Sequence, residues 1–330
     1  MHVFVAGGAG YVGSRLVPEL LNKGYKVTVY DLYLYGDDLF KEYKSSPNLI
    51  EIKADLRDFK KIEQSLKGVD SVIHLACISN DPSFELNPKL GKSINLDAFE
   101  PFVELAKKAH VNRFIYASSS SVYGVKEEAN VTEEMSLEPL TDYSKFKADC
   151  EKILLKHMSD DFICTILRPA TVCGYAPRQR LDLVVNILVN YAYNKGTIKV
   201  IGGNQMRPNI HIEDMVRAYL HVLEMPKDKI QGEIFNVGYH NHTVMDLGKM
   251  VEKIISKKKP IQLTVEPTND HRSYHISSDK ISKKLGFSPN HTIEDAVKDL
   301  VDAFENGLLP DSLENQRYFN IKTMKNVNLE

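Results

Sequence analysis

The sequence predicts an α/β fold: a doubly wound parallel sheet of about seven strands, with a smaller α/β lobe toward the C-terminus. Three observations lead there. Short β-branched apolar runs alternate with helix-period segments through the first half, the rhythm of strands that helices cover on both faces. A glycine-rich turn joins the first of these runs directly to a helix. The length, 330 residues, suits two lobes or one large unit with an appendage, and 43% hydrophobic against 26% charged residues supplies a real core.

The first strand falls on residues 2–6, followed by a helix over 11–22 and a strand over 26–30. Further strands fit residues 49–53, 71–75, 113–117 and 162–168, with helices such as 97–109 and 142–157 between them. Beyond Gly174 the pattern loosens into an apolar helix at 183–193 and a short strand at 198–201. Residues 1–174 are therefore read as the sheet domain. The strand-like runs 209–212 and 233–237 return to it, so that 209–238 rejoins the first domain, while 175–208 and 239–330, with helices at 244–255 and 293–305, form the smaller lobe.

Composition excludes several partners. Lys plus Arg number 42 against 44 Asp plus Glu, a net charge of −2, which gives no general attraction to nucleic acid or anionic lipid. No apolar run approaches the ~20 residues that cross a bilayer, and no signal peptide opens the chain, so no membrane association is expected. Cys77, Cys150, Cys164 and Cys173 lack zinc or disulfide-framework spacing and read as buried thiols of a cytoplasmic protein. His271 and His275 have a metal-like spacing but no acidic support, so no metal is expected.

The turn reads Gly7-Gly8-Ala9-Gly10-Tyr11-Val12-Gly13. Glycine is needed where a pyrophosphate approaches backbone amides, and the following helix N-terminus adds partial positive charge. Asp31 closes the second strand, where a carboxylate accepts both adenosine ribose hydroxyls and repels a 2′-phosphate. The expected cofactor is NAD, and residues 1–174 become an NAD-binding, Rossmann-type domain. Asp55 and Leu56, after the third strand, suit the adenine edge. Tyr33 and Tyr35 are either a mobile aromatic loop over the adenosine or packing.

Hydride removal from a carbinol carbon needs a base for the hydroxyl proton, and a phenol beside a cation can serve. Tyr143 and Lys147, at i and i+4, share one face of the helix opened by Thr141-Asp142. Tyr191 and Lys195 repeat the spacing, so context must separate the pairs. Tyr143 follows a strand ending in Ser118-Ser119-Ser120-Ser121-Val122-Tyr123-Gly124, whose hydroxyls can polarise a substrate oxygen, whereas Tyr191 lies on an apolar helix beyond the lobe boundary.

These residues resemble the extended short-chain dehydrogenase/reductases that act on nucleotide sugars, the NAD-dependent epimerase/dehydratase family. The resemblance runs through nearly the whole chain: Gly7/Gly10/Gly13, Asp31, Asp55-Leu56, His74-Leu75-Ala76, Asn95, Ser118 to Gly124, Tyr143/Lys147, Leu167-Arg168-Pro169, Arg207 to Asp214 and Asn236-Val237-Gly238. It implies that Leu75, Ala76 and Asn95 contact the cofactor, that Ser119 is the catalytic hydroxyl with Ser120 and Ser121 beside the substrate, and that two copies pair through a four-helix bundle. The family's 4,6-dehydratases carry Thr-Asp-Glu where this chain has Ser119-Ser120-Ser121, and its 3,5-epimerising members carry a cysteine where Ser121 stands, so both chemistries are disfavoured.

What is left is redox chemistry at one carbinol carbon, C4, of a nucleotide-diphosphate sugar. A 4-epimerase is the first expectation. A one-way C4 dehydrogenase or 4-keto reductase uses the same inventory, and a non-catalytic NAD-binding regulator is a different class that intact Ser119, Tyr143 and Lys147 argue against. By the resemblance Arg207 binds the diphosphate, although Pro208-Asn209 departs from the family's Asp-Tyr, and Arg272 is a second contact. Arg178, Arg180 and Asn186 are further substrate candidates. Their stretch looks more like enzymes that oxidise or reduce C4 of GDP-linked heptoses than like galactose 4-epimerases. Cys77 is read as steric variation, and His74 and His211 as satisfied core histidines.

Overall fold

The computed structural model describes residues 1–79, 81–128, 130–268 and 273–327. Seven strands form one parallel sheet. They are β1 (His2–Ala6), β2 (Lys26–Asp31), β3 (Leu49–Lys53), β4 (Ser71–His74), β5 (Arg113–Ala117), β6 (Ile163–Pro169) and, arriving much later, β10 (Ile234–Val237). Between them in sequence come β7 (Thr171–Cys173), β8 (Thr197–Ile201) and β9 (Met206–His211), and after them β11 (His240–Thr243) and β12 (Gln262–Glu266).

The large sheet runs β10-β6-β5-β4-β1-β2-β3. Strand β1 has β2 on one side, in register from His2 opposite Lys26, and β4 on the other, from Val3 opposite Ser71. The order reverses there, and the crevice beyond the carboxyl ends of such strands is where ligands bind. Residues of β1 and β4 are buried throughout, with apolar Val3–Ala6 and Val72-Ile73 flanked by the buried polar residues His2, Ser71 and His74, whereas edge strand β3 is half-exposed. One apolar cluster packs the Gly13–Asn22 and Ile212–Glu224 helices on one face of the sheet, and another packs the Phe99–Lys108 and Asp142–His157 helices on the opposite face.

The expectation that both late runs rejoin this sheet needs correcting. Only β10 does so, pairing with β6. Strand β9 lies in a separate three-stranded sheet, β11-β9-β7, and Ile212 opens a helix. Strands β8 and β12 pair parallel as a two-stranded sheet against the Val184–Lys195 and Val244–Ile255 helices. Among the described residues no helix is long and apolar enough to cross a membrane.

Candidate active site

A cleft of about 550 Å³ opens at the carboxyl ends of β1, β2, β4, β5 and β6, within the size range of small-molecule sites. Its cofactor-side wall is built from the glycine turn. Gly7 has φ +79°, and a Cβ there would stand 2.6 Å from the backbone of Ala76, so neither the backbone angle nor the space tolerates a side chain. At Gly13 a Cβ would collide with the carbonyl of Gly8. This bare backbone fits a pyrophosphate. Gly10, Tyr11, Val12, Leu75 and Ala76 line the same wall.

Asp31 also faces the cleft. Its carboxylate accepts from Ala9 N at 3.0 Å and Tyr33 N at 2.8 Å, tying the glycine turn to the end of β2. Burial raises its pKa, and these backbone donors pull the other way. Each oxygen keeps a second lone pair for a ribose hydroxyl. Asp55 and Leu56 line the cleft, but the Asp55 carboxylate is held on both oxygens by Arg57, at 3.0 and 2.8 Å. Tyr33 is packed rather than mobile: it is buried and its hydroxyl donates to Glu51 at 3.0 Å. Tyr35 lines the cleft.

The Asp142–His157 helix is capped by Thr141, whose hydroxyl accepts from Ser144 N. From it Tyr143 and Lys147 reach the cleft together. Lys147 is buried, its Nζ donating to the carbonyl of Ala117 at 2.6 Å and lying 5.9 Å from the centre of the Tyr143 ring. Serines 118–121 line the cleft beside them. Sequence reasoning missed what orients them: Thr141 donates to Ser144 Oγ at 3.0 Å, Ser144 donates to Ser121 at 2.8 Å, and Ser121 meets Ser119 at 2.8 Å. This hydroxyl chain ends at the proposed catalytic serine. Its only sequence signal was a helix cap. Tyr191 and Lys195 do stack, at 4.6 Å, but neither lines the cleft.

Several motif residues form the frame behind the cleft. Arg168 grips Glu151 with Nε at 2.9 Å and Nη2 at 2.6 Å, and Ser118 also donates to that carboxylate. Arg168 Nη1 donates to the Tyr123 hydroxyl at 2.7 Å, which donates to Asn236 at 2.7 Å. The Val-Tyr-Gly, Leu-Arg-Pro and Asn-Val-Gly signatures are thus one buried network locking β5, β6 and β10. His74 is a core residue enclosed by Phe99, Phe102, Phe114 and Tyr116. Among the described residues its Nδ1 has no hydrogen-bond partner, so it is not satisfied as expected, and burial with the nearby Lys147 charge lowers its pKa to about 3. His211 does have partners, Asp299 at 3.0 Å and Glu213 N at 3.1 Å.

Two of the expected contact residues do not line the cleft. Asn95 is off the cleft: its amide accepts from Ile78 N at 2.8 Å and donates to Ile78 O at 3.0 Å, shaping the loop after β4. Asn186 is fully buried, bonded to Gly174 N, Arg180 O and the Tyr11 hydroxyl, and supports the cleft wall without lining it. Arg178, Arg180 and Arg207 do line the cleft. Arg180 pairs with Asp182 at 2.9 Å, and Arg207 lies 5.7 Å from the ring of Tyr274, a wall residue that sequence reasoning did not single out. Arg178 sits with the cofactor-side residues Ser14 and Tyr35 rather than with Arg207. Arg272 and His271 lie outside the described residues.

Residues 3–238 match the NAD dependent epimerase/dehydratase family. The chain belongs to that family. Its members use NAD, and the glycine turn and Asp31 fit that cofactor. Among family members, the chain is 26% identical over 310 residues to the low-salt glycan biosynthesis protein Agl12 of Haloferax volcanii, covering 92% of this chain and 98% of that protein. It is 26% identical over 318 residues to the UDP-glucose 4-epimerase of Lactobacillus helveticus, covering 90% and 94%. The UDP-glucuronic acid 4-epimerase of Bacillus cereus, solved with UDP-glucuronic acid and NAD, superimposes with a TM-score of 0.82 at 26% identity, covering 93% of this chain and 99% of that one.

Proposed function

We propose that this family member is an NAD-dependent enzyme performing redox chemistry at C4 of a nucleotide-diphosphate sugar, as a 4-epimerase. The observation that carries the reading is that one cleft gathers Tyr143, Lys147 and the Ser119 hydroxyl chain beside the glycine turn and Asp31. Gly7, Gly10 and Gly13 would hold the pyrophosphate of NAD, Asp31 the adenosine ribose, and Lys147 the nicotinamide ribose. Bound there, the nicotinamide supplies a reversible hydride acceptor.

Tyr143 takes the proton of the C4 hydroxyl and later returns it. Ser119, oriented through Ser121 and Ser144, donates to the same substrate oxygen. The Lys147 ammonium favours negative charge on the phenol oxygen. Epimerisation then requires only that the ketone turn over in the cleft, where Arg180 and Ser119–Ser121 line the sugar side and Arg207 and Tyr274 the diphosphate side. UDP-linked sugars are the first candidates, because the 4-epimerase relatives act on them. The Arg178–Asn186 stretch, unlike that of galactose 4-epimerases, supports a second reading as a one-way C4 dehydrogenase or 4-keto reductase of the GDP-heptose type.

A panel of UDP-, GDP-, CDP- and dTDP-sugars, followed by absorbance at the NADH band and by product stereochemistry, tests both. A C4 epimer without net NADH supports the epimerase; accumulating NADH with a ketone supports the dehydrogenase; no turnover on any sugar overturns both. We also place the enzyme in the cytoplasm and pair it into a homodimer through the adjacent Phe99–Lys108 and Asp142–His157 helices. Sedimentation as a monomer at micromolar concentration would reject the pairing.

A further inference from the structure

The stretch after the Ile293–Glu305 helix ties together three separate walls of the cleft. The N–H of Leu181 donates to Tyr318 O at 2.8 Å. Arg317 donates to the carbonyl of Tyr35 at 2.7 Å and reaches Asp38 at 3.2 Å, holding the loop after β2. Asn320 is the junction. Its N–H donates to Asp182 at 3.0 Å, its Nδ2 donates to Ser79 Oγ at 2.8 Å after β4, and its Oδ1 accepts from Arg178 Nη2.

Arg178 stands at the centre of this arrangement, 4% exposed. Its guanidinium lies 3.5 Å from the centre of the Tyr35 ring, and the backbone N–H of Arg178 donates at 3.2 Å to Ser14 Oγ, in the first turn after the glycine loop. Among the described residues no carboxylate pairs with it, and its buried Nε–H has no partner. A buried cation with an unused donor is costly, and this one borders a cleft. The charges of Asp182 and Asp31 offset part of that cost, and an anion entering the cleft would supply the partner that Nε–H lacks.

We propose that Arg178 binds a phosphate oxygen of the dinucleotide and that Asn320 is the positioning residue that aims its guanidinium, which makes the C-terminal stretch part of the cofactor site. The inference rests on the NAD-dependent reading above and deepens it. A sugar nucleotide carries the same phosphate chemistry. The guanidinium lies against Tyr35, in the cleft wall that also carries Asp31, and the Arg178 backbone is tied to Ser14 beside the glycine turn; this favours the dinucleotide as the source.

The test uses the full chain with Arg178→Met, Asn320→Ala and Asn320→Asp variants whose folding is checked by circular dichroism. NADH binding is read from its own fluorescence, ADP-ribose by its displacement of NADH, and UDP and GDP by calorimetry. Arg178→Met and Asn320→Ala are expected to weaken NADH and ADP-ribose by about 10- to 100-fold, with UDP and GDP unchanged. Asn320→Asp, which still accepts from Arg178 and exchanges the donor to Ser79 for an acceptor that the Ser79 hydroxyl can meet, should stay within about threefold of the intact chain. Unchanged NADH affinity in Arg178→Met overturns the inference, as does a loss confined to UDP or GDP. If Asn320→Ala fails to fold, Arg178→Met against Asn320→Asp carries the comparison. An intact chain that binds no NADH overturns the functional reading itself, and with it the inference.

Discussion

Glu151→Gln tests whether the buried frame behind the cleft holds it together. Both Glu151 and Arg168 side chains are 3% exposed, and the carboxylate accepts Arg168 Nε and Nη2 as well as Ser118. A glutamine amide keeps one acceptor and turns a donor toward Nη2, so one arm is lost and the guanidinium charge stays buried without a counter-charge. Breaking such a pair from one side costs about 3–5 kcal/mol, a large part of the about 5–15 kcal/mol that stabilises a typical fold. The urea midpoint should fall by about 1 M or more. The chain has no tryptophan and 16 tyrosines, so far-ultraviolet circular dichroism is the suitable probe. Replacing both partners, Glu151→Leu with Arg168→Met, should recover most of the loss, because no orphaned charge is left. A single variant that loses under about 1 kcal/mol, or a double variant as weak as the single, would refute the reasoning.

Other substitutions address the chemistry. Tyr143→Phe should abolish turnover while NAD still binds, since only the proton acceptor goes; retained activity rejects its role. Ser144→Ala removes the donor that orients Ser121 and should lower kcat about tenfold, roughly one hydrogen bond's worth, with KM little changed; a fall seen only in KM would argue against the relay. His74, with a folded pKa of about 3 against 6.5 unfolded, binds fewer protons in the folded state. Its contribution is present above about pH 6.5 and fades as pH falls toward 3. His74→Phe should flatten the dependence of the urea midpoint on pH between 4 and 6.5, and an unchanged slope would show that other groups control it.

Much of this organisation could be read from residue order. Strands buried on both faces announce themselves as unbroken apolar runs, and the helices at 142–157, 244–255 and 293–305 end where their periodicity ends. The sheet to which a late strand belongs is a different matter. Residues 209–212 and 233–237 look alike as local patterns, and only tertiary pairing sends one to β6 and the other to β7 and β11. The same holds in the site. Glycines and Asp31 carry a local signature, whereas Asn186 looks like a ligand group until its three buried partners are seen. Asn320 has no motif at all, since its meaning lies in contacts with residues 79, 178 and 182.

The edge strand Ile234–Val237 is laid against Ile166–Pro169 only after some 65 further residues have been made. During synthesis, a chain that has emerged only to residue 174 offers the ribosome's surroundings an open row of amides and carbonyls along β6, and lacks the Asn236 side-chain Oδ1 that receives the Tyr123 hydroxyl. An unguarded border of that kind recruits foreign strands. The amino-terminal half is therefore poorly suited to maturing by itself, and its completion is coupled to delivery of the strand that follows the Ile212–Glu224 helix.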